Sequence, residues 1–476
     1  MAVINGVPAA VRRLARRPGA GARTGSPPQL RTPGRLRHAA VALVLCTAAS
    51  WGAISLAVGQ GQAVVGAAGS RTIPAVMDTG EAAYRLADAD RVASAGFASG
   101  AAALTGPGRQ YQDDLKSAHQ ALARVAEHGT PGAGGGAQLE TVAGLLVEYS
   151  GLIAQAHATE GSEGLSSAYL GYASQLMHRP GDGILARIEQ LRAGEREQLA
   201  RQRRSAWTAP LLLVAVLAPA VLGLLLLVRT QLFLRRHFNR RINPCLLAAT
   251  VLLATLAGWT ATSLLGVDSA FARTGDREVP RLAAAWQVRT AVAAAAGNDT
   301  AAVVRGEPAA KVAAGFYQYS GTLTDREITS ELVDRALTRQ PDFRGALADL
   351  LLPDLAVPVG PGVAADRETA LHTLRDYRAF VGAHNALQLG AATGRPGLAQ
   401  AAAGASPEQL GGAHDALDLD LAAITDLGKR RLAEGAAAAR PGFGLPVAVP
   451  VLCAAIAVLC GLGLWPRIEE YRAVTR

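Results

Sequence analysis

The sequence predicts an all-α integral membrane protein with four transmembrane helices and two extracytoplasmic helical-bundle domains, arranged as a tandem, parallel repeat. Three observations lead to this fold class. Four apolar windows are long enough to span a bilayer, the segments between them show helical apolar spacing without strand alternation, and one stretch of ten residues occurs twice. Aromatic residues make up only 5% of a chain that is 50% apolar, which suits helices of small residues better than β-sheets.

The repeated stretch defines the unit of the fold. Thr47–Leu56 reads TAASWGAISL and Thr255–Leu264 reads TLAGWTATSL, with identity at six of ten positions, including a tryptophan. Further along, an offset of 206 residues aligns Arg71-x-Ile-Pro74 with Arg277-x-Val-Pro280. Each unit is therefore a span, a helical domain and a second span, and two spans per unit give both units the same direction across the membrane. The copy in mid-chain also favours a retained first span over a cleaved signal peptide.

The four apolar windows set the segment boundaries. Each window holds about 20 residues without a charged side chain, the length that a hydrocarbon core of ~30 Å requires. Glycine and proline separate amphipathic stretches in the two long segments, as in helical bundles. The predicted segments are a basic disordered cytoplasmic arm (1–37), transmembrane helix 1 (38–58), extracytoplasmic helical domain 1 (59–205), transmembrane helix 2 (206–228), a cytoplasmic basic loop (229–243), transmembrane helix 3 (244–267), extracytoplasmic helical domain 2 (268–444), transmembrane helix 4 (445–465) and a cytoplasmic tail (466–476).

Arginine is concentrated in three of these segments. Residues 1–37, 229–243 and 466–476 contain sixteen arginines and two acidic residues, whereas the two long segments carry a net charge of −5. Basic residues stay on the cytoplasmic side of membrane proteins, so we expect a multi-pass protein of the cell membrane with both termini in the cytoplasm. The overall charge of +9 follows from this asymmetry, and we expect no nucleic-acid partner.

The sequence lacks the usual motifs of catalysis. The nine histidines show no metal-ligand spacing, the four cysteines lie in or beside apolar windows, and neither a phosphate-binding glycine loop nor a serine-nucleophile elbow occurs. We therefore expect no catalytic residue, no metal and no cofactor. The predicted cytoplasmic segments are too short for a kinase, cyclase or ATPase domain, so the chain is not expected to be an enzyme. Few polar side chains occur in the apolar windows, which disfavours a pore or a carrier.

Two equivalent arginines are the candidates for ligand binding. Arg71 and Arg277 occupy matching positions at the start of the two predicted bundles. A guanidinium group can hold a carboxylate through two parallel hydrogen bonds, so this pair could bind an acidic ligand. The alternative is that the neighbouring Pro74 and Pro280 begin helices and that both arginines are ordinary surface residues.

The inner connection between the second and third windows is the candidate docking surface. It alternates basic and aromatic residues, and we interpret it as a patch that binds an acidic soluble partner. The alternatives are a topology determinant whose side chains extend to anionic headgroups, and nucleic-acid binding. The predicted docking residues are Arg235, Arg236, Arg240 and Arg241.

One part of the first long segment resembles a known family. Tyr149-Ser-Gly-Leu-Ile153, followed by Ala168-Tyr-Leu170 and Ala173-Ser-Gln-Leu-Met177, is similar to a pattern of four-span actinobacterial membrane proteins. The best-understood type of that family works between an extracytoplasmic glutamate- or aspartate-binding lipoprotein and a soluble serine/threonine protein kinase, kinase G. The resemblance implies a solute-binding lipoprotein and a soluble kinase as partners beside the lipid bilayer. The second unit keeps Tyr377 but lacks the Gly-Leu that follows, which implies that the two copies differ in function.

These observations predict a non-enzymatic transmembrane signal relay. The relay would sense an extracytoplasmic ligand or a ligand-loaded binding protein and pass the signal to a soluble cytoplasmic partner. Amino-acid availability as the signal is implied by the resemblance alone. The alternatives are a structural protein of the cell envelope and a transport-accessory membrane protein.

Overall fold

The described part of the chain is entirely helical. A computed structural model describes residues 32–100, 107–128, 134–162, 164–206, 209–238, 243–273, 277–338, 342–355, 364–394, 397–398, 402, 404–438 and 445–474. These residues contain no β-strand, so the all-α fold class is confirmed. The helices are α1 (Thr32–Ala67), α2 (Ile73–Ser99), α3 (Gly108–His128), α4 (Gly135–Ala158), α5 (Leu165–His178), α6 (Ile184–Ala206), α7 (Ala209–Phe238), α8 (Pro244–Arg273), α9 (Val279–Val304), α10 (Ala309–Leu323), α11 (Ser330–Thr338), α12 (Ala346–Leu355), α13 (Ala364–Ala392), α14 (Leu410–Ala438) and α15 (Leu445–Val474).

Four helices of the described chain are long and apolar enough to cross a membrane, as predicted. The candidate spans are Arg37–Ala57 in α1, Val214–Arg235 in α7, Pro244–Ser263 in α8 and Ala448–Trp465 in α15. The candidate span in α7 overlaps the predicted 206–228, the side chains of residues 206–213 lie outside the described part of the chain, and α7 continues without a break to Phe238. Residues 229–238, predicted as part of a loop, are therefore helical. Most of the predicted arm 1–37 lies outside the described residues, and α1 begins at Thr32.

The contacts divide the chain into two compact units. The described residues of the first unit are those parts of α1, α7, α8 and α15 that fall within 32–49, 220–254 and 452–474. Small residues allow close helix packing there, since a Cβ on Gly223 would lie 3.1 Å from Leu253 and 3.6 Å from Cys46. The side chain of Asn243 donates a 2.8 Å hydrogen bond to the carbonyl of Gly463. Close contacts and hydrogen bonds from side-chain amides hold helices together in a membrane, because lipid tails are apolar and provide no hydrophobic driving force for helix association.

The second unit, within residues 50–219 and 255–451, contains two helical domains. We call α2–α6 the first helical domain and α9–α14 the second. Proline lies in the first turn of both α2 and α9, where its missing N–H would have no partner in any case. α2 ends at Ser99 because Gly100 adopts φ 71°, a left-handed conformation that closes a helix at little cost when no Cβ is present.

Each helical domain has its own apolar core. In the first domain the core is rich in alanine and contains two tyrosines, and its large members are Leu86, Tyr111, Leu146, Tyr149, Ile153, Leu170 and Met177. In the second domain the large core members are Trp286, Phe316, Phe343, Leu350, Tyr377, Phe380 and Leu421. Tyr84 of α2 belongs to the second core, so the two domains share buried apolar surface.

The two domains meet through the packing of α2 against α9. A Cβ on Gly80 would lie 2.8 Å from Cγ of Trp286, and a Cβ on Gly297 would lie 3.1 Å from the backbone of Arg91. Both pairs advance along the two helices in the same direction, so α2 and α9 are parallel. The paired positions are 206 residues apart, which is the offset of the sequence repeat. The tandem repeat itself remains a prediction.

Candidate functional site

The predicted ligand-binding arginines lie at one end of the α2–α9 pair. Arg71 is exposed in the π-helical turn Ala68–Thr72, directly before α2, and Arg277 is exposed two residues before α9. Since α2 and α9 are parallel and in register, both arginines lie at the same end of the helix pair. Neither arginine has an ion-pair partner within the part of the chain that the structure describes.

The predicted docking residues lie at and beyond the end of α7. Arg235 is exposed on α7. Arg236 belongs to the same helix, but its side chain is outside the described part of the chain. Arg240 and Arg241 lie outside the described residues altogether.

A largely buried polar network that the sequence did not reveal joins the two helical domains, with Asp415 at its exposed edge. We call it the interdomain bridge, and its first half centres on Asp418 of α14. Nε and Nη2 of Arg289 on α9 donate hydrogen bonds of 2.8 and 2.9 Å to the two carboxylate oxygens of Asp418. The hydroxyl of Tyr84, from the first domain, donates a 2.7 Å hydrogen bond to the same carboxylate. The guanidinium of Arg289 also lies 3.8 Å from the centre of the Tyr84 ring, a cation–π contact.

The second half of the bridge centres on Arg91 of α2. Nε of Arg91 donates a 2.7 Å hydrogen bond to Asp88, and Nη2 lies 3.5 Å from the carboxylate of Asp415 on α14. Arg91 is 8% exposed, so its charge is compensated almost entirely by protein groups. The interdomain bridge thus comprises the side chains of Tyr84, Asp88, Arg91, Arg289, Asp415 and Asp418.

Electrostatics keep the bridge charged. Burial alone would raise the pKa of Asp418, but the hydrogen bonds and positive charge of Arg289 outweigh it and lower the pKa of that carboxyl. Burial raises the pKa of Tyr84 far above its usual range, so the phenol stays protonated and remains a donor. Burial and the charge of Arg91 lower the pKa of the adjacent His414, which favours its neutral form. The carboxylates of the bridge therefore face guanidinium groups and a neutral hydroxyl donor.

A second polar chain explains part of the sequence motif. Asp90 of α2 is fully buried, and the hydroxyl of Tyr149 on α4, the first residue of that motif, donates to it at 3.0 Å. Nε2 of His178 on α5 lies 2.9 Å from the other oxygen of Asp90. Nδ1 of His178 lies 2.6 Å from the hydroxyl of Tyr319, on α10 of the second domain. Because a carboxylate can only accept, the geometry suits the tautomer of His178 in which Nε2–H donates to Asp90 and Nδ1 accepts from Tyr319.

Helix α6, the last helix of the first domain, forms hydrogen bonds to α2 of its own domain and to α9 of the second domain. Glu195 accepts a 2.8 Å hydrogen bond from the hydroxyl of Thr79 on α2. Burial raises the pKa of Glu195 to about 7, against the lowering effects of Thr79 and Arg192. Arg192 is 1% exposed and donates Nη2 to the backbone carbonyl of Ala283 on α9. α6 ends at Ala206, three residues before α7 begins.

The second helical domain also contains a half-open cleft of about 320 Å³. Aromatic rings form one part of its lining, including Phe316, Tyr317 and Tyr377, whereas Ser320, Arg326 and Asn385 supply polar groups. Tyr377 is the position at which the second unit keeps the tyrosine of the family motif. Both tyrosines are buried, but Tyr377 lines the cleft whereas the hydroxyl of Tyr149 donates to Asp90, so their surroundings differ.

The polar contacts between the domains leave only a weak signal in the sequence. The bridge residues are separated by up to about 330 positions and have no common spacing. The detectable feature is Asp88-Ala-Asp90-Arg91, three charged residues inside an alanine-rich helix whose other face is apolar. Charged side chains on the buried face of a helix require partners, so this cluster could have been marked as a contact point, but the partners themselves could not.

The comparison with known families concerns the first helical domain. Residues 64–204 match the model of a family described as an actinobacterial sensor domain. The matched region runs from the end of α1 through nearly all of α6, less than a third of the chain. No curated protein and no solved structure matches the chain. The chain is thus similar, over its first helical domain, to an actinobacterial sensor domain, which indicates a role in sensing or signalling.

Proposed function

We propose that this protein is a non-enzymatic membrane signal relay whose two helical domains lie outside the cytoplasm. One observation carries the proposal: the domain that resembles a sensor domain is joined to the second helical domain by the hydrogen bond of Tyr84 to Asp418 and by the ion pair of the buried Arg91 with Asp415. Buried charges tolerate few geometries, because a displaced partner leaves an uncompensated charge. A conformational change in one domain would therefore change the conformation of the other domain.

The connections along the chain offer a route for the signal. The first domain follows α1, which contains the first span, and ends with α6, which leads to the second span. The second domain follows α8, which contains the third span, and ends with α14, which leads to the fourth span. A ligand that binds one arrangement of the two domains better than another shifts the equilibrium between them. Small shifts and rotations of packed helices are a common form of such transitions.

The input is proposed from chemistry and resemblance together. Arg71 and Arg277 are exposed, lie at one end of the α2–α9 pair and could bind a carboxylate with bidentate hydrogen bonds. An acidic amino acid, free or presented by a solute-binding lipoprotein, has the required group. To test direct binding, L-glutamate and L-aspartate are titrated against the full chain in nanodiscs and compared with an Arg71→Gln/Arg277→Gln variant. Binding that is unchanged in the variant would exclude these arginines.

The output is proposed to be a soluble serine/threonine kinase that docks at the basic end of α7. The test replaces Arg235, Arg236, Arg240 and Arg241 together by serine, and in a matched control by lysine, which keeps the positive charge and hence the membrane orientation. Proteins crosslinked to each form in native membranes are identified by mass spectrometry. We expect a soluble kinase with the native chain and the lysine control but not with the serine variant.

The same experiment separates the alternatives. Capture of integral envelope proteins only, equal for all three forms, would favour a structural protein of the envelope. Capture of a membrane-associated ATPase would favour a transport-accessory role. Equal recovery of a kinase by the serine variant would exclude docking at these arginines.

A further inference from the structure

Three potential metal ligands converge on the surface of the second helical domain. His372 and Asp376 lie one turn apart on α13, and Asp420 lies on the neighbouring helix α14. Nδ1 of His372 is 2.6 Å from Oδ2 of Asp420 and 3.5 Å from Oδ2 of Asp376. One ligand atom from each of the three residues lies within 4.8 Å of the other two. The i, i+4 spacing explains the first pair, since it places both side chains on one helix face.

The separation of His372 from Asp376 matches the coordination sphere of a small divalent ion, and the separation of His372 from Asp420 is shorter than that sphere requires. With metal–ligand bonds of about 2.0–2.2 Å, two ligands in a tetrahedral Zn²⁺ site lie roughly 3.3 Å apart. The distance from His372 to Asp376 is already in this range, and the hydrogen bond from His372 to Asp420 would only have to lengthen modestly. One imidazole nitrogen and two carboxylate oxygens form a ligand set that Zn²⁺ and similar transition ions accept, whereas Ca²⁺ and Mg²⁺ prefer oxygen alone.

The cluster is partly exposed and contains two carboxylates. The side chain of His372 is 59% exposed, while those of Asp376 and Asp420 are 20% and 18% exposed, so one side of the cluster is open to water. Oδ2 of Asp376 and Oδ2 of Asp420 both lie close to Nδ1 of His372, so the two negative carboxylates approach and repel each other across the helix pair. A divalent cation between them would replace this repulsion with attraction.

We propose that His372, Asp376 and Asp420 bind a divalent transition-metal ion, with Zn²⁺ as the best match, and that solvent water completes the coordination. The site goes beyond the proposed relay and does not depend on it. The ion would clamp α13 to α14, and α14 is the helix that carries Asp415 and Asp418 of the interdomain bridge. A metal was not expected from the sequence, because the third ligand is 44 residues away from Asp376 on another helix.

The test uses the full chain in detergent, purified with a tag that contains no histidine and stripped of metal by a chelator. Zn²⁺ is titrated in competition with a chromophoric chelator, and Co²⁺ is added separately to record its ligand-field spectrum. We expect one Zn²⁺ per chain and a rise of the thermal midpoint on metal addition. His372→Ala should weaken binding at least tenfold, since even second-shell changes weaken metal affinity about 10- to 100-fold.

His119→Ala is the matched control, because His119 is an exposed helical histidine of the first domain bonded only to a backbone carbonyl. It should bind Zn²⁺ as the native chain does. Asp376→Asn preserves side-chain shape and provides a second variant should the alanine change disturb folding, which far-UV circular dichroism would reveal. Binding of equal strength in the native chain and both site variants, or no binding to the native chain, would overturn the proposal.

Discussion

Arg289 and Asp418 form a two-bond ion pair at the junction of the two helical domains, with N–O distances of 2.8 and 2.9 Å. Both residues belong to the second domain, but the hydroxyl of Tyr84 from the first domain completes the hydrogen bonding of the carboxylate. The side chains of Arg289 and Asp418 are 10% and 19% exposed. The first domain therefore docks on a charge pair that the second domain holds in place.

Arg289→Met should destabilise the protein, because it leaves the carboxylate of Asp418 largely buried without its cation. We expect a loss of about 3–4 kcal/mol in the free energy of unfolding, the lower part of the range for breaking a buried pair. Urea unfolding in detergent measures it, and the fluorescence of Trp286, whose ring is 5.3 Å from the Arg289 guanidinium, reports on this junction. Adding Asp418→Asn should recover part of the loss, since the unpaired charge is then removed.

The control for this change is Arg335→Met on α11. Arg335 and Glu331 form an exposed i, i+4 pair with side chains 62% and 79% exposed. Exposed pairs contribute little, so we expect a change below about 0.5 kcal/mol. A loss from Arg289→Met as small as that of the control would mean that the bridge contributes nothing to the junction.

Gly297→Ala should loosen the packing of α2 against α9. The added Cβ would lie 3.1 Å from both N and Cα of Arg91, and backbone atoms cannot move aside as a flexible side chain can. Overpacking of this kind typically costs about 1–3 kcal/mol. The matched control is Gly382→Ala on the exposed face of α13, where nothing lies within 4 Å of the added Cβ. Alanine should stabilise that helix by up to about 1 kcal/mol. Equal effects on the urea midpoint at both positions would contradict the close packing.

The fold was predictable from local sequence, and the junction was not. Hydropathy and length identify the spans because each span is one continuous segment. Gly and Pro separate several helices of the two long segments, although Pro219 lies inside α7 and Pro353 inside α12. Apolar residues set the predicted end of the second span at Val228, whereas the helix α7 continues through Arg229 and Arg235 to Phe238. A helix can continue beyond the residue at which its apolar segment ends.

The polar contacts depend on residues that are distant in sequence. Tyr149 stood out through its motif, but its partner Asp90 is 59 residues away and belongs to a helix with no visible link to it. Arg71 and Arg277 stood out through the repeat, and they proved to be exposed residues before α2 and α9. Periodicity marks which face of a helix is buried, but only the fold decides which buried charges meet.

Tyr149→Phe should cost stability without changing the fold. Tyr149 and Asp90 are both fully buried, so the carboxylate would lose one of its two side-chain donors and could not replace it with water. Hydrogen bonds to charged groups contribute about 1.5–3 kcal/mol, and we expect a loss of that order in the urea unfolding free energy. Tyr172→Phe on α5 serves as the control because Tyr172 is 59% exposed, and it should have almost no effect. Indistinguishable results for the two variants would mean that the bond to Asp90 is unimportant.

Glu195→Gln should change how stability depends on pH. The pKa of Glu195 is about 7 in the folded protein against an ordinary value of 4.5, so between these values the folded state binds more protons than the unfolded state. The free energy of unfolding contributed by this group therefore falls as pH rises from about 4.5 to about 7. Glutamine cannot ionise and still offers an oxygen to Thr79, so the variant should lack this fall.

The difference in the free energy of unfolding between Glu195→Gln and the native chain should change by on the order of 3 kcal/mol from pH 4 to pH 8, in favour of the variant, since one pKa unit corresponds to about 1.4 kcal/mol. Unfolding by urea at several pH values measures it. Glu197→Gln is the control because the side chain of Glu197 is 63% exposed. Parallel pH profiles for the native chain and Glu195→Gln would show that Glu195 has an ordinary pKa.

The orientation in the membrane gives the last prediction, because an extracytoplasmic ligand can reach the helical domains only if they are exported. Sixteen arginines in the three segments predicted to be cytoplasmic favour that arrangement. We replace the four native cysteines by alanine and introduce one cysteine at Gln112, exposed on α3, or at His237, near the end of α7. A membrane-impermeant maleimide should label Gln112→Cys in intact cells and His237→Cys only after permeabilisation. The reverse pattern would place the helical domains in the cytoplasm, in which case the sensor-like domain would read a cytoplasmic signal and the basic end of α7 could not dock a soluble kinase.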